Sequence, residues 1–298
     1  MISIITPTYN RGYIINNLYE SLKQQTCQDF EWIVIDDGSK DDTSKLFDKW
    51  AKEKNQFAIE YEYTENGGKH RAINYAVKKV HTDFCFIVDS DDYLTNDAVE
   101  SIHEWIDTIK NDNNFAGVAG LRQYPSGNII GRYPKSRKYE IYVDADNLER
   151  RKKHLTGDKA EVYRTDILKK YPFPEFEGEN FLTEDVIWNR IAIDGYRIRW
   201  FNHVIYICEY LEDGLTKGKD RSINNFKGFT EATKMRIKYW EFPYNYLSLS
   251  IFYNIAIQLG VHDAEIAELL DVSKKEIAFA KIISIIKRMI KKVCFNKY

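Results

Sequence analysis

Short apolar runs alternate with amphipathic helical segments through the first hundred residues of the chain. Between the runs, apolar residues recur at helical spacing. The runs predict four strands, at Ile2–Ile5, Trp32–Ile35, Phe57–Tyr63 and Phe84–Val88. Strands of a parallel sheet are buried on both faces, so they read as continuous apolar runs of this kind. The alternation therefore predicts βαβ units, an α/β fold class and a mostly parallel sheet flanked by helices.

A polar loop follows each predicted strand. Ligands of open α/β sheets bind beyond the carboxyl ends of the strands. We therefore expect these loops to converge on one crevice, and they span residues 6–10, 36–39, 66–69 and 89–92.

Three carboxylates lie within four residues after the fourth strand, at Asp89, Asp91 and Asp92. Ionised carboxylates this close repel one another unless water or a cation screens them. A hard divalent cation takes oxygen ligands and shares its shell with substrate phosphates. The cluster indicates a magnesium or manganese site that also binds a diphosphate. An ordinary solvated acidic turn is the alternative.

Asp36 and Asp37 follow the second strand in the same way, and Pro7 and Tyr9 follow the first. The carboxylates suit hydrogen bonds from a base or ribose, and the two rings suit an apolar wall for a planar base. The alternatives are an Asp-Gly turn that needs no ligand and ordinary packing at a strand end.

Gly67 and Gly68 permit close approach of a ligand to the backbone. Lys69, His70 and Arg71 follow at once, near a predicted helix N-terminus. Cations at such a place suit anion binding, although the spacing does not match a P-loop. A glycine-rich turn with solvated basic side chains explains the pattern equally well.

Glu184 and Asp185 begin a predicted helix after Thr183. Acidic residues in a first helical turn are favoured by the helix dipole alone. The functional alternative makes one of them a general base for an acceptor hydroxyl.

Charge and cysteine content narrow the class of protein. The chain has 43 basic and 45 acidic residues, a balance that argues against binding nucleic acid through a basic surface. The four cysteines lie far apart, which indicates reduced thiols rather than a zinc or redox motif. No signal peptide or transmembrane run is predicted, so we expect a cytoplasmic protein.

The pattern becomes helical from about residue 222, after linker-like Lys217–Asp220. Strands with turns are expected at Phe115–Tyr124 and Ile129–Tyr133. The segment 274–294 alternates isoleucine with lysine, which suits an anionic membrane surface. A helix that packs on the domain or on a second subunit is equally compatible.

The order of these pieces resembles the family-two glycosyltransferases of GT-A fold, with a Rossmann-like nucleotide-binding sheet. The resemblance rests on residues 4–10, 32–39, 66–68, 89–92 and 184–185. It implies inverting transfer of a hexose or N-acetylhexosamine from a UDP-sugar to a hydroxyl of a glycan. The implied acceptor is lipid-linked, in surface polysaccharide synthesis at the inner face of the membrane. The predicted domains are 1–215 for the transferase and 216–298 for a helical region that associates with membrane or forms oligomers.

Residue roles follow from the resemblance by position. It implies a divalent cation, Mn²⁺ or Mg²⁺, at Asp91 and Asp89, and a catalytic base at Asp185 with Glu184 beside it. The family's usual arginine after the glycine loop is absent, and Lys69 or Arg71 is expected to replace it. The implied donor-binding residues are Pro7, Tyr9, Asp36, Asp37, Asn66, Gly68, Lys69, Arg71, Asp89, Ser90 and Asp91. The loop from Glu209 to Gly214, with Asp213, matches a loop that closes on the diphosphate.

Three rival functions stay open at this point. One is an inactive module that binds a nucleotide sugar without turnover. Another is a sugar-nucleotide pyrophosphorylase, which needs a glycine-rich triphosphate loop that Thr6–Gly12 does not supply. The third is a membrane scaffold, which predicts no metal dependence.

Overall fold

The computed structural model describes residues 1–135, 140–209 and 220–295, and these contain nine strands and eleven helices. The strands are β1 Ile2–Thr8, β2 Phe30–Asp36, β3 Ala58–Tyr63, β4 Phe84–Ile87, β5 Tyr93–Leu94, β6 Phe115–Gln123, β7 Tyr142–Ala145, β8 Lys159–Arg164 and β9 Arg197–Ile207. The helices are α1 Asn16–Lys23, α2 Thr43–Trp50, α3 Lys69–Lys79, α4 Ala98–Asp107, α5 Thr165–Lys170, α6 Asp185–Ile193, α7 Arg221–Asn224, α8 Phe226–Tyr239, α9 Tyr244–Gln258, α10 Asp263–Leu270 and α11 Lys274–Phe295.

Four parallel strands form one half of the sheet, in the order β3-β2-β1-β4. The register pairs Ile4 of β1 with Trp32 of β2 on one side and with Phe86 of β4 on the other. Every residue of β1 is buried, which explains why its sequence shows no alternation. The carboxyl ends of these strands therefore lie at one edge of the sheet.

The other half of the sheet is mixed. Strand β8 runs antiparallel to β4 and β6, β6 runs parallel to β9, and β5 and β7 pair antiparallel with β9. The predicted strand at Ile129–Tyr133 is wrong, because Ile129 forms only an isolated bridge with Gln123. Gly127 and Gly131 have φ of 85° and 75°, so the extended backbone is interrupted on both sides of Ile129.

An aromatic cluster holds α1 and α2 against the parallel half of the sheet. Tyr19 of α1 stacks on Trp50 of α2 with ring centres 4.2 Å apart, and Phe47 meets Trp50 edge-on at 4.9 Å. Trp32 of β2 lies 6.0 Å from Trp50, and its indole nitrogen donates to the hydroxyl of Thr6. Such buried rings contribute a large share of the hydrophobic free energy, and they fix the strand ends that carry the loops.

The described residues fall into two compact units. The first contains the whole sheet, in residues 1–135, 140–173 and 187–209, and the second contains residues 174–186 and 220–295. The boundary falls inside α6, so Asp185 belongs to the second unit. The predicted division at residues 215 and 216, and most of the expected linker, lie outside the described residues and stay a prediction.

The second unit has its own apolar core. The helical pattern predicted from about residue 222 is found in its helices α8 to α11. Ser273 and Glu276 form reciprocal hydrogen bonds that cap the start of α11. No helix in the described part of the chain is long and apolar enough to cross a membrane. The buried core residues come from α9, α10 and α11 and are Leu249, Phe252, Ala256, Ile266, Leu270, Ile277 and Ala280.

Candidate active site

Asp37 links the loops after β1, β2 and β3 through its carboxylate and its backbone amide. Its two oxygens accept hydrogen bonds from the amides of Gly67 (2.7 Å) and Gly68 (2.8 Å), and its own amide donates to the carbonyl of Thr8. Burial raises the pKa of Asp37 despite these amide hydrogen bonds. The expected convergence of these loops is confirmed, and Asp37 is the residue that holds them.

Asp36 points into the protein. One carboxylate oxygen accepts a hydrogen bond from the hydroxyl of Tyr61 (2.6 Å), and the other accepts from the amide of Ser39 (2.7 Å). Burial, followed by this contact with Asp36, raises the pKa of Tyr61. The two neighbouring aspartates therefore do different work, since Asp36 anchors β3 and Asp37 anchors the glycine loop.

The end of β1 presents an aromatic ring to solvent. Tyr9 is 45% exposed, whereas Pro7 is buried within the strand. Asn10 adopts φ of 52°, a conformation that asparagine tolerates. Its side-chain oxygen accepts a hydrogen bond from the amide of Lys40, and its own amide donates to Ser39. These bonds hold the backbone directly after Tyr9 in place.

The glycine loop needs its glycines for two separate reasons. Gly68 has φ of 97°, which a residue with a side chain rarely adopts. A Cβ atom on Gly67 would lie 2.9 Å from Cδ of Arg71, whose guanidinium donates to the carbonyl of Gly67. Asn66 donates from its side chain to the carbonyl of Asp37 at 2.7 Å. Arg71 is thus committed to the loop itself.

Two cations flank Asp89 at the end of β4. The ammonium of Lys69 lies 2.6 Å from one carboxylate oxygen, and the guanidinium of Arg122 lies 4.0 Å from the other. Burial raises the pKa of Asp89, but the charges of Lys69 and then Arg122 lower it by more, so the net shift is downward. Asp89 is therefore held as a carboxylate by cations of the protein.

Asp91 lies two residues further on and faces Arg11, whose guanidinium is 3.9 Å from the carboxylate. Burial and then the negative charge of Asp89 raise the pKa of Asp91. The same two causes raise the pKa of Asp92 to about 7. Ser90, between Asp89 and Asp91 in the sequence, is buried. No cluster of three or more His, Cys, Asp or Glu side chains suited to a metal ion is found among the described residues.

Arg122 and Tyr206 also surround Asp89, and neither was predicted from the sequence. The Arg122 guanidinium lies 4.0 Å from the centre of the Tyr206 ring, and its Nε donates to the carbonyl of Lys159. The Tyr206 hydroxyl accepts a hydrogen bond from the amide of Asp89 at 2.9 Å. Arg122 and Tyr206 are paired by the register of β6 with β9, which no local sequence pattern reveals.

Asp185 begins α6 and accepts three hydrogen bonds within the second unit. One oxygen accepts from the hydroxyl of Thr183 (2.7 Å), and the other accepts from Nε (3.0 Å) and Nη2 (2.8 Å) of Arg236 on α8. Hydrogen bonds between a guanidinium and a carboxylate are among the stronger ones in proteins. Glu184 is half-buried directly before the helix. Arg236 was not predicted, because its distance along the chain from Asp185 hides the contact.

The first unit thus brings together predicted residues from four loops. Lys69 and Asp89 join the third loop to the fourth. Arg11, which was not predicted, directly follows the first loop and contacts Asp91 of the fourth. Glu184 and Asp185 belong to the second unit. The loop after Glu209, with Asp213, lies outside the described residues.

Comparison with known proteins gives a match over the first unit. Residues 3–171 match the sequence profile described as "Glycosyl transferase family 2". The chain is 31% identical over 178 residues to poly(ribitol-phosphate) beta-N-acetylglucosaminyltransferase TarS of Staphylococcus aureus (strain MW2). That match covers 58% of this chain and 29% of the relative, so the chain spans less than a third of the relative's length.

Solved structures resemble the fold over almost the whole chain. S. aureus TarS 1-349 in complex with UDP-GlcNAc matches with a TM-score of 0.64 at 19% identity, covering 97% of this chain and 91% of that one. The mannosyltransferase PcManGT from Pyrobaculum calidifontis, in complex with GDP-Man and Mn²⁺, matches with a TM-score of 0.54 at 16% identity, covering 95% and 86%. These likenesses confirm the predicted GT-A fold, with a central sheet flanked by helices and a helical C-terminal region.

Proposed function

Because the chain belongs to glycosyl transferase family 2, we propose that it transfers a hexose or N-acetylhexosamine from a UDP-sugar to a hydroxyl of a glycan. The observation that carries the proposal is the charged cluster at the end of β4, where Asp89 and Asp91 meet Lys69 and Arg11 from two other loops. This is the edge of the sheet at which α/β folds bind their ligands.

The uridine is proposed to lie against the ends of β1 and β2. Tyr9 offers an exposed ring for stacking on a base, and buried Pro7 supports the strand beneath it. The carboxylates of Asp36 and Asp37 already accept hydrogen bonds from the protein. Their part in donor binding is therefore to shape the pocket, with Asn66 and Gly68 held in place by Asp37.

The carboxylates after β4 fit a divalent cation. Asp91 supplies hard oxygen donors, and burial and then the charge of Asp89 raise its pKa. A bound cation would offset both effects. Asp91 would hold the ion, with Asp89 beside it and substrate phosphates and water as the remaining ligands. The ion, when bound, supplies positive charge that stabilises the leaving diphosphate.

The chain's own cations serve the same leaving group. Lys69 and Arg122 face Asp89, and Arg11 faces Asp91, so three positive groups border the proposed diphosphate position. Positive groups fixed in advance stabilise charge that develops in a transition state. Lys69 is therefore proposed to replace the arginine that the family usually has after the glycine loop. Arg71 instead donates to the carbonyl of Gly67 in its own loop.

Asp185 is proposed to be the general base. An ionised carboxylate has about four positions that accept hydrogen bonds. Among the described residues, Thr183 and Arg236 fill three of them, which leaves one for the proton of an acceptor hydroxyl. As the hydroxyl oxygen attacks the anomeric carbon, its proton passes to Asp185, the bond to the diphosphate breaks and the configuration is inverted. Glu184 contributes negative charge beside this carboxylate.

We propose a cell-envelope polymer, carried on a lipid, as the acceptor. The relative TarS is named for transfer of N-acetylglucosamine to poly(ribitol phosphate). A polymer of the teichoic acid type is therefore the first acceptor to test, and UDP-GlcNAc is the first donor. Synthesis on a lipid carrier places the enzyme at the inner face of the cell membrane.

A panel of UDP-sugars tests the proposal through the release of UDP. The purified chain is incubated with each sugar and a synthetic polyol phosphate oligomer, in Mn²⁺, in Mg²⁺ or in EDTA. We expect turnover of one or a few sugars, loss of turnover in EDTA, and an inverted anomeric configuration of the product by NMR. If no sugar is turned over while UDP still binds, the inactive nucleotide-sugar-binding module is the better assignment.

A further inference from the structure

The segment that leads to the proposed base Asp185 is held by α8 of the helical unit. The amides of Lys227 and Gly228, in the first turn of α8, donate to the buried carboxylate of Glu179 at 2.7 and 2.9 Å. A carboxylate at this end of a helix satisfies amides that have no partner within the helix, and it lies at the positive end of the helix dipole. The start of α8 therefore fixes the chain shortly before Asp185.

Two further contacts hold the next residues of this segment against α8. The side-chain oxygen of Asn225, directly before α8, accepts hydrogen bonds from the amides of Asn180 (2.9 Å) and Phe181 (2.8 Å). A Cβ atom on Gly228 would lie 3.0 Å from Cδ1 of Leu182 and 3.2 Å from the carbonyl oxygen of Phe181. The absence of a side chain at Gly228 thus allows α8 to lie directly against the segment.

Arg236, further along α8, contacts the proposed base itself. Its Nε and Nη2 both donate to one carboxylate oxygen of Asp185, at 3.0 and 2.8 Å. The guanidinium also lies over the ring of Trp240, with its central carbon 5.3 Å from the ring centre. Thr183 donates to the other oxygen of Asp185. Both oxygens are therefore held by neighbours, which fixes the plane of the carboxylate before an acceptor binds.

We infer that Arg236 is a positioning residue for sugar transfer, and that the helical unit thereby takes part in the reaction by orienting its base. A guanidinium is planar and always charged, so it holds a carboxylate in one orientation. A general base raises the rate only when its accepting oxygen lies within hydrogen-bond reach of the reacting hydroxyl. This role rests on the proposed function, because it takes Asp185 as the base. It adds a residue from the region that the sequence assigns to membrane or subunit contacts.

An ion pair that only stabilises the helical unit is the alternative, and a double-mutant cycle separates the two roles. A residue that acts through Asp185 has no effect left once the base is removed. A residue that only stabilises the fold lowers activity whether or not the base is present. The effects of the two substitutions then multiply.

The cycle compares the full chain with Asp185→Asn, Arg236→Gln and the double variant, using a UDP-sugar and an acceptor that the wild type turns over. We expect Arg236→Gln to lower kcat about tenfold to a hundredfold, the usual cost of a misplaced reacting group. Its KM for the UDP-sugar should stay within about twofold of the wild type, because the donor contacts lie elsewhere. The double variant should transfer sugar no more slowly than Asp185→Asn. Effects that multiply would overturn the inference.

Chemical rescue gives a second test, which needs no residual activity of the base variant. Arg236 and Thr183 line a cleft of about 410 Å³, so Arg236→Ala leaves a space that a small cation can enter. Guanidinium chloride at a non-denaturing concentration should raise the kcat of Arg236→Ala at least about tenfold, by replacing the charged hydrogen bonds to Asp185. Urea has a similar shape without the charge and should give no such increase. Equal rates with the two additives would overturn the inference.

Lys234→Gln is the matched control, because Lys234 is an exposed cation of the same helix that pairs with Glu231. Its kcat should stay within about twofold of the wild type. Failure of the proposed function looks different from failure of this inference. A wild-type chain that turns over no UDP-sugar would remove the enzyme assignment, and the role of Arg236 with it. A wild type that transfers sugar no faster than Arg236→Gln would keep the enzyme and lose only the role of Arg236.

Discussion

Replacing Asp185 with asparagine preserves the size of the side chain and removes the charge that accepts a proton. Transfer to the acceptor should fall by about 10²–10⁴-fold, the usual contribution of a general base. The affinity for UDP, measured by calorimetry, should stay within about twofold of the wild type. Asp166→Asn is the matched control, because Asp166 also lies in the first turn of a helix. Near wild-type turnover of Asp185→Asn would remove Asp185 from the mechanism.

Single residues differ in how far the sequence predicts their positions. Asp89 and Asp91 could be placed at the site because parallel strands share an edge at their carboxyl ends. Asp36 and Asp37 could not be told apart, since only the fold turns one toward Tyr61 and the other toward the glycine loop. Arg236 meets Asp185 across a long stretch of chain, and no local spacing predicts such a contact.

The strands of the sheet differ in whether the local sequence pattern predicts them. Strands β1, β2 and β4 were predicted because both faces are buried, which leaves an unmistakable apolar run. The order of β8, β6 and β9 was not predicted, because antiparallel insertion beside β4 depends on pairing between distant segments. Arg122 and Tyr206 reach the site through that order alone. The part of the site built on local βαβ units was therefore predictable, and the part built on distant pairing was not.

Strand β8 starts with Lys159, which is 1% exposed. Because of this buried lysine, the stability of the folded chain should depend on pH. The ammonium of Lys159 donates to the carbonyls of Ile130 (3.2 Å) and Thr156 (2.6 Å). Burial, and then the charge of Arg150, lower the pKa of Lys159 from its ordinary 10.5 to about 8. Below pH 8 the lysine is charged in both states, and its burial costs free energy. Between pH 8 and pH 10.5 the folded chain has lost the proton of Lys159 while the unfolded chain still holds it. The free energy of unfolding therefore rises with pH over this range.

Urea unfolding of the wild type and of Lys159→Met at pH 7 and pH 10.5 measures this effect. The free energy of unfolding of the wild type, relative to the variant, should increase by up to about 3 kcal/mol across that range, because the pKa of Lys159 falls from 10.5 in the unfolded chain to about 8 in the folded one. Lys234→Met controls for loss of an exposed lysine. A wild-type advantage that stays constant with pH would show that burial does not perturb Lys159.

At the scale of the whole molecule, the helical unit leaves an apolar stripe on α11 uncovered. Ile277 and Ala280 pack into its core, and Ser284 donates to Asn254 of α9. On the opposite face, exposed side chains recur at spacings of three and four residues, at Phe279, Ile282, Ile285, Ile286 and Met289. The sequence predicted an amphipathic helix here, and the structure shows that its apolar side is divided between core and surface.

Vesicle flotation tests whether this stripe meets a membrane. The wild-type chain should float with vesicles rich in phosphatidylglycerol and much less with neutral ones, because lysines accompany the isoleucines in segment 274–294. The double variant Ile282→Ser, Ile285→Ser should bind the vesicles at least about tenfold more weakly. It should still fold, since both side chains are half exposed and neither belongs to the core. Ile129→Ser, an exposed isoleucine of the first unit, is the control. The stripe is a subunit interface instead if the double variant floats as the wild type does and sedimentation shows a dimeric wild type and a monomeric variant.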